Sequence, residues 1–273
     1  MLKDITLGQY FPGDTVVHRL DPRTKLILVV LYIVALFQAQ SWASYAAVLV
    51  VSVVCTVLSH IKPRNLFKGL KPMLIIIVLT ALLNIFYTEG TPVLPGWVIT
   101  WEGIFRAVKM ILRIVLLITG TFLLTYTTSP IALTDGLEIL LNPLKKIKVP
   151  IHEMTMMMSM ALRFIPTLIE ETDKIMSAQR ARGADFESGG LIKKAKNMVP
   201  LLVPLFVSAF RRANDLSYAM EARCYRGGEG RTRLHPMKYR RSDAAAYGLL
   251  ILFAVLVIVQ SRGLLPIPML WEV

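Results

Sequence analysis

The sequence predicts an all-α integral membrane protein: about five transmembrane helices, with a cytosolic helical region inserted before the last span. Three observations carry this. The chain has 273 residues, of which 55% are hydrophobic and only 18% charged, and its mean hydropathy is +0.56. Uncharged apolar runs recur along it, and strand-like alternation is scarce. The 31 Lys and Arg, against 18 Asp and Glu, gather in particular connections. A soluble domain is about 45–50% apolar and about 25% charged, so an ordinary globular enzyme is excluded. A disordered chain is excluded by the amount of apolar surface to bury. A net charge of +13 would suit a nucleic-acid binder, but not at this hydropathy. The partner it points to is a lipid bilayer, with the positive charge on one side.

The chemistry-bearing residues are sparse. Cys55 and Cys224 make no disulfide framework, and His18, His60, His152 and His235 have no ligand spacing, so neither metal nor cofactor is expected. The first apolar run begins at Leu26, behind Asp4, Asp14 and Asp21, which is unlike a cleaved signal peptide.

A span needs about 20 mostly apolar residues. The first runs from Leu26 to Gln40 and the second from Ala43 to Ser59, close enough together to form a helical hairpin. The third is Pro72 to Tyr87, and the fourth ends at Thr127, uncharged back to Ile114. The fifth is Ala244 to Ser261. Met198 to Phe210 is short and carries Pro200 and Pro204, while Pro150 to Glu170 carries His152, Glu153 and Arg163. Both read as helices of a cytosolic insert that bury apolar faces against each other, the membrane or a partner.

Charge sets the orientation. The connection after the second span holds Lys62, Arg64, Lys68 and Lys71, and residues 129–241 hold 19 Lys and Arg against 11 Asp and Glu. The Gln38–Trp42 loop holds none, and Thr88–Trp101 holds Glu89 but no Lys or Arg. The N-terminus is therefore expected in the cytosol and the C-terminus outside. The chain divides into a cytosolic segment (1–25), a four-span region (26–127), a cytosolic helical domain (128–242), the fifth span (243–262) and an outer tail (263–273). Arg106, Lys109 and Arg113 run against this pattern. They share one helical face at the outer end of the fourth span, where an interfacial or snorkelling role is expected.

No Asp, Glu, Lys or Arg falls in a span core, and no inverted repeat of broken segments is present, so a self-contained pump is disfavoured. No zinc-protease, nucleophile-elbow or P-loop motif occurs either, so no catalytic residue is assigned. Two other classes remain to be weighed. One is a membrane enzyme acting on lipid-linked substrates, for which Glu170, Glu171 and Asp173 are the nearest carboxylate cluster. The other is a stand-alone channel or carrier.

Within the insert, Ser129-Pro130 opens a helix that Asn142-Pro143 interrupts. Pro150 opens a second that runs toward Gly183. Gly189-Gly190 break the chain, and a third runs from about Leu191 to Gly227. Pro166, Pro200 and Pro204 would bend the two long helices. Their ends resemble each other: Ala181-Arg182-Gly183 recurs as Ala222-Arg223-Cys224, 41 residues on. Arginine near a helix C-terminus is common, because partial negative charge gathers there. The recurrence of the tripeptide suggests two docking tips for two similar partner sites, each presenting a planar five-donor guanidinium to a carboxylate. Met154, Met156, Met157, Met158 and Met160 fall on several faces of one helix, more than a single core stripe needs. Unbranched, polarisable methionine suits an adaptable apolar surface for several partners. The basic, turn-rich stretch 227–241 reads as a lipid-headgroup anchor.

At the N-terminus, Gly8-Gln-Tyr-Phe-Pro-Gly13 is followed by His18-Arg-Leu-Asp-Pro-Arg-Thr-Lys25. Asp21 is placed to cap a helix with Pro22 at its first position, and Arg23 and Lys25 to hold that end in the cytosol. With the span pattern and the paired Ala-Arg motifs, this resembles the T component of energy-coupling factor (ECF) transporters, the EcfT/CbiQ family, over nearly the whole chain. Cys224 stands where that family's second motif has glycine; a thiol is small, so little loss is expected. The resemblance implies a non-catalytic subunit of an ABC-type importer in the bacterial cell membrane. It implies two ABC-type ATPase subunits docked on the two arginine motifs. Long crossed coupling helices would cradle a membrane-embedded substrate-binding S component, one or several interchangeable, for uptake of vitamins or other micronutrients.

Overall fold

The computed structural model describes residues 10–93, 99–186, 190–228 and 237–261. Residues 8–9 of the N-terminal motif, Gly189, the basic stretch 229–236 and the tail 262–273 lie outside the described residues. Among the described residues the chain is all-helical; one isolated β-bridge pairs Pro92 with Thr100. The helices are α1 (Pro22–Gln38), α2 (Trp42–Leu58), α3 (Pro63–Leu70), α4 (Leu74–Tyr87) and α5 (Trp101–Thr127). They continue as α6 (Pro130–Leu141), α7 (Ile151–Ala181), α8 (Leu191–Ala222) and α9 (Arg241–Ser261). The chain separates into two compact units, Gly8–Ile139 with Pro236–Val273, and Leu140–His235.

In the first unit α1, α2, α5 and α9 pack on a core of Tyr32, Leu36, Tyr45, Val48, Leu116 and Val257. Gly120 lets α5 approach α1 closely, because a Cβ there would lie 2.4 Å from the Tyr32 ring. The Tyr32 hydroxyl donates to the Leu116 carbonyl and shares a hydrogen bond with Ser52, so neither hydroxyl is stranded between the helices. Around this core the surface is apolar. Ile75 and Tyr87 of α4 are 78% and 83% exposed, and no α4 residue is buried. Two helical stretches, Pro63–Tyr87 and Trp101–Thr127, are long and apolar enough to cross a bilayer. The connection expected at 62–71 is itself helical, as α3 and a 3₁₀ turn (Lys71–Met73), and leads straight into α4.

The second unit is built on α7 and α8, which cross with Glu171 of α7 paired to Arg212 of α8 at 2.8 Å. Pro166, Pro200 and Pro204 all sit inside helices that continue past them. The expected third helix of this region ends earlier than the sequence suggests, at Ala222, because the chain turns left-handed at Cys224.

Candidate functional site

The two ends singled out by their tripeptides are closed by the same hydrogen-bond pattern. At the end of α7, the Gly183 N–H donates to the Arg180 carbonyl at 3.0 Å and the Ala184 N–H to the Gln179 carbonyl at 3.0 Å. At the end of α8, the Cys224 N–H donates to the Glu221 carbonyl at 2.8 Å and the Tyr225 N–H to the Met220 carbonyl at 3.0 Å. This is a Schellman cap on each helix, which satisfies carbonyls the helix would otherwise leave open. It places Arg182 and Arg223 at equivalent C-cap positions, with φ and ψ of −86° and 5° for one and −94° and 12° for the other. Ala181, Arg182, Gly183, Ala222, Arg223 and Cys224 are all exposed.

Size is therefore not what the third position requires. Gly183 has φ +88° and Cys224 φ +55°. A left-handed residue with a Cβ costs about 1–2 kcal/mol, so the cysteine is a strained replacement and not merely a small one.

The methionines divide. Met154, Met157 and Met158 are exposed, and Met156 and Met160 are half-buried. Met157 and Met160 join Phe164 of α7 and Ala213, Leu216 and Met220 of α8 in one groove, which reaches Glu221 and Tyr225 beside the Arg223 tip. A broader apolar surface lies on α8: Val199, Val203, Phe206 and Phe210 follow the helical period, and the two phenylalanines are 63% and 68% exposed. Of the carboxylate cluster, Glu171 bonds Ser208 and Arg212, which together hold its carboxyl below the usual range. That is a structural contact across the helix crossing, not a convergent acid site.

The N-terminal motif is a buried polar knot. Asp21 caps α1, accepting the Arg23 N–H at 2.9 Å, with Pro22 at the first helical position. Arg23 and Lys25, expected to hold that end in the cytosol, are both buried. The Arg23 guanidinium forks onto both Asp21 oxygens at 3.0 and 2.8 Å and stacks over the Tyr239 ring. Lys25 Nζ donates to the Thr127 carbonyl at 2.8 Å, the Thr128 hydroxyl and the His18 carbonyl. Burial pushes the Lys25 ammonium down to about 8, against the pull of Asp243 and Asp21. Burial also works against the Asp21 carboxylate, but its hydrogen bonds from Arg23 prevail and hold it below the ordinary value. Phe11 donates its N–H to the Tyr126 carbonyl and packs edge-on against that ring. The motif thus seals the end of α5 that carries Thr127.

Asp243 completes the knot, and sequence reasoning missed it. Its side chain is 1% exposed. One oxygen accepts the Asp21 N–H at 2.8 Å and the other the Arg240 N–H at 2.7 Å. The second bond is half of a capping box, an acid in the first turn reaching back to the residue before the helix. An acid just ahead of an apolar run was the available signal.

Midway along α5, Arg113 turns toward the α1–α2 connection. It donates to the Ala39 carbonyl at 3.2 Å, between the Phe37 and Tyr45 rings.

Apolar helices bare of protein cover in one unit, and a helix pair with two exposed arginine-tipped ends in the other, define an α-helical membrane protein. Comparison with known proteins agrees. Residues 13–234 match the CbiQ family, described as cobalt transport protein, and the chain belongs to that family. It is 54% identical over 266 residues to the energy-coupling factor transporter transmembrane protein EcfT of Clostridium kluyveri, covering 96% of this chain and 98% of the relative. The protein of the same name in Acidaminococcus fermentans is 53% identical over 269 residues, covering 97% and 100%. That of Bacillus subtilis is 48% identical over 259 residues, covering 94% and 98%. The chain is a transporter membrane component and not an enzyme.

Proposed function

We propose that this chain is the coupling subunit of an ECF-type ABC importer, carrying ATP-driven motion from two cytosolic ATPases to a membrane protein that captures a vitamin or other micronutrient. The observation that carries the reading is the pair of matched helix ends. Two exposed arginines, held by identical caps 41 residues apart, suit two similar grooves on two similar partners. Arg182 and Arg223 dock there, with Ala181 and Ala222 allowing close approach. The exposed methionines and the Val199–Phe210 stripe of α8 form the broad apolar surface for the substrate-binding subunit.

The membrane placement belongs to the same reading. Five spans, α1, α2, the α3–α4 rod, α5 and α9, put the N-terminus and the second unit in the cytosol and the C-terminus outside. The basic connections support that orientation.

The test is the double variant Arg182→Glu with Arg223→Glu. The chain still inserts in the membrane, but purified ATPase subunits no longer bind it and uptake stops. Truncating one side of a desolvated charge pair costs about 2–5 kcal/mol, so a charge reversal at both tips abolishes docking. ATPase binding of normal affinity by the double variant would overturn the docking assignment.

A further inference from the structure

The cations on α5 that run against the charge pattern fall into two kinds. Arg113 is spent on the fold, through Ala39 and the flanking rings. Arg106 and Lys109 are not. Arg106 is exposed and has no ion-pair or hydrogen-bond partner among the described residues. Lys109 lies over the Trp42 ring, 5.3 Å from its centroid, at the first residue of α2. The nearest acid on the helix, Glu102, is turned away: its carboxylate accepts the Thr91 N–H at 2.8 Å and the Thr91 hydroxyl. Around the two cations sit Trp42, Phe105 and Trp101, ring against ring at 6.1 and 6.3 Å.

Their depth is set by the helix itself. The buried knot at Thr127 marks one polar edge of the bilayer on the membrane placement proposed above, on which this inference rests. At about 1.5 Å per residue, Arg113 stands about 21 Å from Thr127, Lys109 about 27 Å and Arg106 about 32 Å. The hydrocarbon layer is about 30 Å thick, so Arg106 and Lys109 straddle its far edge, where lipid phosphates lie. α1 and α2 have 17 residues each, about 26 Å, so their turn ends below that level. The Trp42 ring, at the start of α2, stands at the level of the two cations, beside Lys109 and Phe105.

We propose that Arg106 and Lys109, with Trp42 beside them, bind the phosphate of an anionic phospholipid at the α1–α2 turn. Two cations at phosphate depth without a carboxylate partner, beside an amphipathic indole, match that headgroup. They also account for positive charge on the side of the membrane that the orientation leaves poor in it.

Trp42 supplies the readout. The full chain with Trp97, Trp101 and Trp271 replaced by Phe is placed in phosphatidylcholine vesicles, leaving Trp42 as the only indole. Brominated phosphatidylglycerol or brominated phosphatidylcholine is then titrated in, and Trp42 quenching is followed. Half-quenching is expected at about a fivefold lower mole fraction of the anionic lipid. Arg106→Gln with Lys109→Gln removes the preference, and Arg106→Lys with Lys109→Arg retains it. Equal curves for the two lipids, or a preference that survives in the Gln pair, overturns the site. Trp42 unquenched by either lipid overturns the membrane placement together with it. ATPase docking through Arg182 and Arg223 plays no part in this readout, so its failure would be seen separately.

Discussion

Gly183 and Cys224 stand at the same point of two different helices, both left-handed, each returning its N–H to the carbonyl three residues before it. One has the residue that conformation favours, and the other does not. Cys224→Gly removes about 1–2 kcal/mol of backbone strain and adds back about 0.5–1 kcal/mol of chain entropy. Thermal unfolding of the purified variant should therefore show a net gain of about 0.5–1 kcal/mol. Gly183→Ala should show the opposite change, a loss of about 1 kcal/mol or more. An unchanged midpoint for both would mean that neither cap is strained. On the docking proposed above, ATPase binding should survive Cys224→Gly, because the C-cap geometry of Arg223 is unaltered.

Asp243 joins the starts of two helices 222 residues apart in the chain. Asp243→Asn keeps one acceptor and turns an amide NH₂ toward a backbone N–H that needs an acceptor. Hydrogen bonds to a charged group contribute about 1.5–3 kcal/mol each, and one of two is lost. The variant should unfold at a visibly lower temperature than the parent. Ser242→Ala, one residue away and outside the described bonds, should not. Equal midpoints for Asp243→Asn and the parent would remove the staple from the account of the fold.

How far the sequence could be read depends on the kind of residue. Helix ends were legible where a single residue decides them: Asp21 before Pro22, Pro150 before α7, Gly183 after it. The apolar runs were legible as helices, and two of the helical stretches, Pro63–Tyr87 and Trp101–Thr127, are long and apolar enough to cross a bilayer. The burial of Arg23 and Lys25 was not legible, because a cation near a span is equally consistent with a free charge and a buried one. Only the carboxylates of Asp21 and Asp243, together with carbonyls from the end of α5, decide between them, and those are distant in sequence. Cys224 was read by side-chain volume, whereas its position is governed by φ. The Met groove was half legible: helical period gives faces, but which face meets α8 depends on the crossing.

Glu171 and Arg212 form a charged contact across the α7–α8 crossing, with the Arg212 side chain 37% exposed. Partly solvated pairs contribute little, about 0–1 kcal/mol. A double-mutant cycle of Glu171→Gln and Arg212→Gln should give a coupling energy in that range, shrinking as salt is raised. A coupling of several kcal/mol would show that this pair, not the apolar contacts of Phe164 and Leu216, holds the two helices. The small value has a functional sense. On the coupling role proposed above, helices that shift with an ATPase stroke are better joined by apolar contacts than by a tight ion pair.

Lys25 gives the pH dependence a definite sign. Its ordinary value is 10.5, and in the folded chain it falls to about 8, chiefly by burial. Below about pH 8 the ammonium is protonated in folded and unfolded chains alike, so it contributes no slope. Between about 8 and 10.5 the unfolded chain holds a proton that the folded chain has released. Stability therefore rises with pH across that window, by up to about 3 kcal/mol, and levels off above it. Other lysines, tyrosines and the thiols titrate nearby, so the quantity to measure is a difference. Unfolding midpoints of the parent and of Lys25→Gln, whose side chain carries no charge at any pH, are compared from pH 7 to 11. The gap between them should shift in favour of the parent as pH passes 8. Two parallel curves would mean that Lys25 keeps its ordinary value despite its burial. A shift in the opposite direction would mean that Asp21 and Asp243 hold its charge more strongly than burial removes it.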